Sequence, residues 1–303
     1  MTIVFTVCTA AQYPYAKALQ NSLPQHVDFK IGITHGQVDD KNTVSVSTLQ
    51  IPEWKAMNQR YDEAALIAAS KPFFTQYFLK SSNEVIYFDP TVLVLTNLEP
   101  ILNQFIDNEI VTTPRIVQPF GVSEYADEKF FLNSGLIDSG FYAFKNTKQV
   151  FELLDWWQKR VIENAQLDLC NAQNHDQLWL MLVPVFYKNM VIIKNKGWNV
   201  GLQNLHERTL TKINNKWFVN QSEELLFINF REFIDSDRPN LIKKSGAELL
   251  FDNYKKKFNE LPSIFSIIKN QKKVAPNWKK QIKNILHSYI NTIETFPIFI
   301  QAK

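Results

Sequence analysis

The 303-residue chain carries 33 basic and 30 acidic residues, a net charge of +3, and is 45% hydrophobic and 13% aromatic. That composition can bury one large core, or one core with a smaller appended unit, and argues against disorder over most of the length. The charge surplus is too small to point to nucleic acid as a partner, and Cys8 and Cys170 lack the spacing of a zinc or redox site.

In chain order, Thr2–Val7 alternates as a first strand (Ile3, Phe5, Val7) and lacks the basic start of a secretory signal. A helix is expected over Gln12–Asn21, ended by Pro24, then a strand at Val27–Ile33. Glu63 to Leu79 has helical spacing broken at Lys71-Pro72, where the proline either opens a second helix or kinks the first. Val85–Phe88 follows as a strand, Glu99–Ile106 as a helix and Glu109–Thr113 as an extended segment.

Phe130–Phe144 reads as two strands punctuated at Asn133-Ser134-Gly135 and Asp138-Ser139-Gly140. Thr147 is the expected N-cap of a helix to Glu163 that turns Val150, Leu153, Leu154, Trp157 and Val161 to one side. Another helix is expected from Asn174, with Asn174 and Gln177 as a capping box, until Pro184 disturbs it. Val191–Ile193 and Leu225–Phe230 complete the strands. The alternation predicts an α/β layer structure around a mostly parallel sheet. A boundary is expected near Phe233, giving a domain over 1–233 and a helical extension over 234–303.

That extension is basic. From Lys255 to Lys303 there are ten lysines against two acids, interleaved with Ile264, Phe265, Trp278 and Tyr289. It is read either as a peripheral contact with an anionic membrane surface or as helices packed on the domain with solvated lysines outside. No run approaches the roughly 18 apolar residues needed to span a bilayer, and the sparse cysteines suit a reducing compartment, so the expected location is cytoplasmic, with a peripheral position at the inner face of the membrane as the variant.

The most informative stretch is Glu84-Val85-Ile86-Tyr87-Phe88-Asp89-Pro90-Thr91-Val92-Leu93-Val94-Leu95. One acid at the end of an apolar strand would stand at the carboxyl edge of the sheet, where open α/β sheets hold ligands. The same residues also read as a plain strand-terminating turn. Histidines 26, 35, 206 and 287 show no metal-ligand spacing.

Several segments, in order over about residues 1–240, resemble the GT-A glycosyltransferases, and among them bacterial proteins similar to glycosyltransferase family 8. They are Thr9-Ala10-Ala11-Gln12-Tyr13 after the first strand, Lys71-Pro72, Tyr87-Phe88-Asp89-Pro90-Thr91, Leu132-Asn133-Ser134-Gly135, Trp156-Trp157, His175-Asp176-Gln177, Trp198-Asn199-Val200 and Ile228-Asn229-Phe230. The resemblance implies a GT-A fold with a C-terminal helical extension. It also implies a UDP- or GDP-sugar donor over the first half of the sheet, and a glycan or glycolipid acceptor at the second, as in polysaccharide or lipopolysaccharide biosynthesis.

Relatives of this kind hold a divalent cation with Asp-x-Asp and a later histidine; here only Asp89 remains, Thr91 stands for the second acid and Asn229 for the histidine. Manganese or magnesium is therefore expected to bind weakly or not at all, since hard cations want several anionic oxygens. A cationic side chain could take its place: at about 4 Å and an effective dielectric near 20, a unit charge pair is worth roughly 4 kcal/mol before desolvation. Arg231 and Arg238 are the candidates, with Lys71 and Lys243 behind them.

On the same resemblance, Thr9, Lys71, Asp89, Thr91, Arg231 and Arg238 would bind the donor, Asn133 and Asp176 would address the transferred sugar, and Asn199, Asn204 and Arg208 would border the acceptor. The residues also allow plainer roles: a bend at Asn133, a helix cap at Asp176, and a loop satisfying its own backbone around Asn199 to Arg208. A rival reading keeps the fold but not the catalysis, as a protein that binds sugar nucleotides or glycans. A nucleotidyltransferase is disfavoured because Thr9-Ala10-Ala11-Gln12 offers no glycine-rich phosphate loop.

Overall fold

The computed structural model describes residues 1–120, 128–234, 236–258 and Leu286. Contacts divide the chain into a unit Met1–Ile268 and a second, Lys269–Lys303. The expectations for the lysine-rich region beyond Phe258 lie outside the described residues, apart from Leu286.

The strands are β1 (Thr2–Cys8), β2 (Asp28–Ile33), β3 (Thr43–Ser45), β4 (Glu84–Phe88), β5 (Val92–Val94), β6 (Ile110–Pro114) and β7 (Ile137–Lys145), with a later strand at Met190–Ile192. Seven of them form one sheet in the order Met190–Ile192, β6, β7, β4, β1, β2, β3, and β5 pairs instead with Phe227–Asn229. Within the large sheet only β7 runs antiparallel to its neighbours, β4 and β6. The expected α/β architecture with a mostly parallel sheet is what the chain adopts. Both faces of β1, β4 and β7 are covered, which is why these strands read as continuous apolar runs.

The helices that matter for the site are α1 (Tyr13–Ser22), α2 (Trp54–Arg60), α3 (Glu63–Leu79), α4 (Glu99–Leu102), α5 (Glu128–Ser134) and α6 (Lys148–Glu163). Helix α3 is a single helix that runs through Pro72. Asp62 caps it by accepting from Ala65 N–H at 2.8 Å. Most of its side chains are buried, from Ala65 to Leu79, so burial on several sides outweighs the roughly 3 kcal/mol that an interior proline costs. Helix α6 buries the five residues expected and is capped by Thr147 as expected.

Two sequence expectations fail. Phe130–Phe144 is not a pair of strands: α5 occupies its start and β7 its end. Gly135, at φ +102°, donates to Phe131 C=O at 2.8 Å and closes the helix. In sequence a glycine just past a helix end looks like a bend between strands, but the left-handed C′ position is where glycine is most favoured. Nor is Asn174 a helix cap. It pairs in a two-residue ladder with Leu167–Asp168 and donates its amide to Ser134 C=O at 2.7 Å, while the helix starts at Gln177 behind Asp176.

Beyond Phe233, the helices Pro239–Lys244 and Glu248–Lys255 bury Ile242, Leu250, Phe251 and Tyr254 in the cluster that contains Phe230 and Phe233. The compact unit thus continues past the expected boundary. Among the described residues no helix is long and apolar enough to cross a membrane.

Candidate active site

Asp89 leaves the end of β4, and its N–H donates to Gly140 C=O at 2.9 Å across to β7. Because β7 is antiparallel, its amino-terminal residues Asp138 and Ser139 come to the same carboxyl edge as Asp89. There they line a cavity of about 410 Å³ together with Lys71, Arg115, Asp176, Gln203, Asn229 and Arg231.

Lys71 is the hub. Helix α3 delivers it 3% exposed, with Nζ 3.6 Å from Asp89 Oδ1 and 3.2 Å from Asp176 Oδ2, donating to Ser139 C=O at 3.2 Å and lying 5.0 Å from the centre of the Tyr87 ring. Asp176 is 1% exposed and accepts from Ser139 Oγ at 3.1 Å. Trp157 donates its indole N–H to Asp176 C=O at 3.2 Å, so α6 fixes the turn that carries the acid. Asp176 heads the following helix without a side-chain capping bond, because its carboxylate is engaged in the cavity instead.

Asp89 is 5% exposed and held on both oxygens. Tyr87 O–H donates to Oδ1 at 2.7 Å, Asn229 Nδ2 approaches Oδ2 at 3.4 Å and Arg231 Nη1 stands 3.6 Å from Oδ2. Burial alone would raise its pKa, but Lys71, Arg231 and the two hydrogen bonds together hold it below the ordinary carboxylate value. Thr91 donates to Asn229 Oδ1 at 2.7 Å, which points the Asn229 amide toward Asp89.

These residues do not fit a divalent cation. Both Asp89 oxygens already face a cationic nitrogen at 3.6 Å, Thr91 is spent on Asn229, and among the described residues no cluster of three His, Cys, Asp or Glu is present.

Of the expected site residues, Lys71, Asp89, Thr91, Asp176, Asn229 and Arg231 come together at the cavity. Thr9 is buried beside it, heading a short turn whose Gln12 lines the cavity in its place. Asn133 is exposed on α5 and does not line the cavity; its neighbour Ser134 does. Arg238 pairs with Asp237 at 3.7 Å, and Lys243 is exposed on the helix Pro239–Lys244; neither borders the cavity.

Asn199, Asn204 and Arg208 turn inward. Asn199 donates to Thr113 Oγ1 at 2.9 Å, Asn204 donates to Arg115 C=O and Asn199 C=O at 3.1 Å each, and Arg208 donates to Trp198 C=O at 2.8 Å. Burial pushes the Arg208 pKa down to about 10 despite Glu207 alongside. From this segment Gln203 is the residue that reaches the cavity.

Sequence reasoning missed Asp138, Ser139, Gln203 and Arg115. Arg115 follows β6 directly, so the rule that singled out Asp89 at a strand end would also have found it. It is 5% exposed, donates to Ser134 Oγ at 2.7 Å and stands 3.7 Å from Glu232. Asp138-Ser139-Gly140 carries the same Ser-Gly signal as Asn133-Ser134-Gly135; the first contributes Asp138 and Ser139 to the cavity wall and the second Ser134.

No protein-family model matches the chain. A stretch of 193 residues, 62% of this chain, is 25% identical to the uncharacterized protein YfnF of Bacillus subtilis (strain 168) and spans 63% of that protein's length. Among solved structures, mouse xyloside xylosyltransferase 1 in its apo form overlaps 66% of this chain and 86% of its own at 12% identity and a TM-score of 0.41. A glycosyltransferase involved in glycosylation of the major capsid of PBCV-1 overlaps 81% and 98% at 11% identity and 0.44. The WbbM bifunctional glycosyltransferase, also apo, overlaps 89% and 51% at 12% identity and 0.45. Likenesses this distant carry no detail of the site.

Proposed function

We propose that the chain is a glycosyltransferase of GT-A fold whose cavity takes a nucleotide-sugar donor, a UDP- or GDP-sugar, and moves the sugar to a hydroxyl of a glycan or glycolipid. The observation that carries this reading is Asp89 at the carboxyl edge of the sheet with Lys71 and Arg231 on its two oxygens. Breaking the bond between sugar and diphosphate leaves negative charge on the diphosphate, and a fixed cation stabilises it. Arg231, its side chain 49% exposed, is the cation that can reach a diphosphate from Asp89. Lys71 is enclosed by Asp89 and Asp176 and holds those two acids in place. Transfer then needs little manganese or magnesium, because the residues at the metal position bind each other.

The experiment is calorimetry with a panel of UDP- and GDP-sugars, paired with an assay of donor hydrolysis and transfer. Binding with turnover supports the reading. Binding without turnover under any acceptor leaves a sugar-nucleotide-binding protein, and no binding of any donor overturns both.

A further inference from the structure

Of the five acids that line the cavity, Asp89, Asp138 and Asp176 are buried, and these three differ in what holds them. Asp89 and Asp176 share Lys71, and Asp89 also has Arg231, so two acids face two cations. Asp138 is held by neutral donors only. The Gly140 N–H reaches its Oδ1 at 2.6 Å and Gln203 Nε2 reaches its Oδ2 at 3.2 Å. Among the described residues no lysine or arginine pairs with it. It is 8% exposed and lines the cavity. It also stands beside Asp89: a Cβ on Gly140 would lie 2.8 Å from Asp138 Oδ1 and 3.0 Å from Asp89 Oδ2.

We propose that Asp138 is a catalytic residue that touches the transferred sugar. The inference rests on the donor reading above. As the bond from the anomeric carbon to the phosphate oxygen breaks, the electron pair leaves with that oxygen and positive charge develops on the sugar. The acceptor hydroxyl oxygen then bonds the same carbon and its proton passes to water. An acid paired with a lysine at 3.2 Å, as Asp176 is, has most of its field cancelled there. Asp138 has no cation that close, since Arg208 acts on it only from beyond ion-pair distance, and more of its charge acts on the sugar within a cavity that restricts water. Gln203 is a positioning residue: its amide holds one carboxylate oxygen and leaves the group's orientation fixed before the sugar arrives.

The test compares the whole protein with Asp138→Asn and Gln203→Leu, using UDP and GDP alone as binding probes and the UDP- and GDP-sugar panel for turnover. Asp138→Asn is expected to keep the nucleoside diphosphate affinity within about twofold and to lower kcat about a hundredfold or more. Gln203→Leu, which leaves the carboxylate in place, is expected to lower kcat about tenfold with the same affinity for the nucleoside diphosphate. Wild-type kcat in Asp138→Asn, or a loss confined to nucleotide affinity, overturns the proposal. If Asp138→Asn does not fold, wild-type kcat in Gln203→Leu overturns it alone. A wild type that binds no donor overturns the donor reading itself, which is a different result.

Discussion

Lys71 Nζ lies 3.2 Å from Asp176 Oδ2, and both side chains are almost wholly buried. The lysine comes from the middle of α3 and the aspartate from the turn ahead of Gln177, so their contact joins the first and second halves of the sheet at one cavity. Asp89 on the other side of Lys71 completes a buried triad, with two acids on one lysine.

Replacing Lys71 by Met leaves Asp89 and Asp176 facing each other without the cation. Removing one partner of a buried pair costs about 3–5 kcal/mol. Urea denaturation of Lys71→Met is expected to show a loss in that range; a loss below about 1 kcal/mol, the worth of a surface pair, would contradict the triad.

The lowered Asp89 pKa sets a pH dependence. The unfolded carboxyl titrates near pH 4 and the folded one below it. Between the two, the unfolded state binds more protons, so stability is fully present above about pH 4 and is lost as pH falls through the folded value. The stability curve of Asp89→Asn is expected to fall less steeply on its acid limb than that of the wild type. Parallel acid limbs would show that Asp89 is not held ionised by its neighbours.

Gly140 has no room for a side chain. An added Cβ would sit 2.8 Å from Asp138 Oδ1 and 3.0 Å from both Asn229 Nδ2 and Asp89 Oδ2. Gly140→Ala is expected to cost about 1–3 kcal/mol as overpacking does, and to weaken nucleotide-sugar binding about tenfold or more by moving the acids. Unchanged binding measured by calorimetry would mean that these side chains do not meet the donor.

Arg208 is held by Trp198 C=O and Glu207. It is 2% exposed, and Arg208→Met removes its bond to Trp198 C=O and the cation beside Glu207, which keeps only the Val117 N–H. A stability loss of about 3 kcal/mol is expected, with nucleoside diphosphate affinity unchanged in the fraction that stays folded. A selective loss of acceptor affinity would instead restore the acceptor role expected from sequence.

Much of the sheet was legible because its strands are buried on both faces and stand out as apolar runs between helical segments. Asp89 was legible from its place at the end of an apolar strand, whereas Lys71 entered through the resemblance, since a helix buried on several sides shows no amphipathic period to single it out. The cavity's other wall was not legible. Asp138 lies within β7, where its partner Gln203 is far along the chain, and no local pattern says that a strand residue faces a cavity. For Asn199, Asn204 and Arg208 the sequence left two readings open, since clustered hydrogen-bonding side chains look alike whether they serve a ligand or the backbone around them.

In the proposed function a fixed arginine beside Asp89 does the work of a metal ion on the diphosphate. Titration of UDP and GDP into the wild type and into Arg231→Met, each with and without a chelator, measures it directly. The wild type is expected to bind at least one of them with an affinity that chelation changes by no more than about twofold, and Arg231→Met to weaken it about tenfold or more. Binding that needs manganese and is indifferent to Arg231→Met would contradict it.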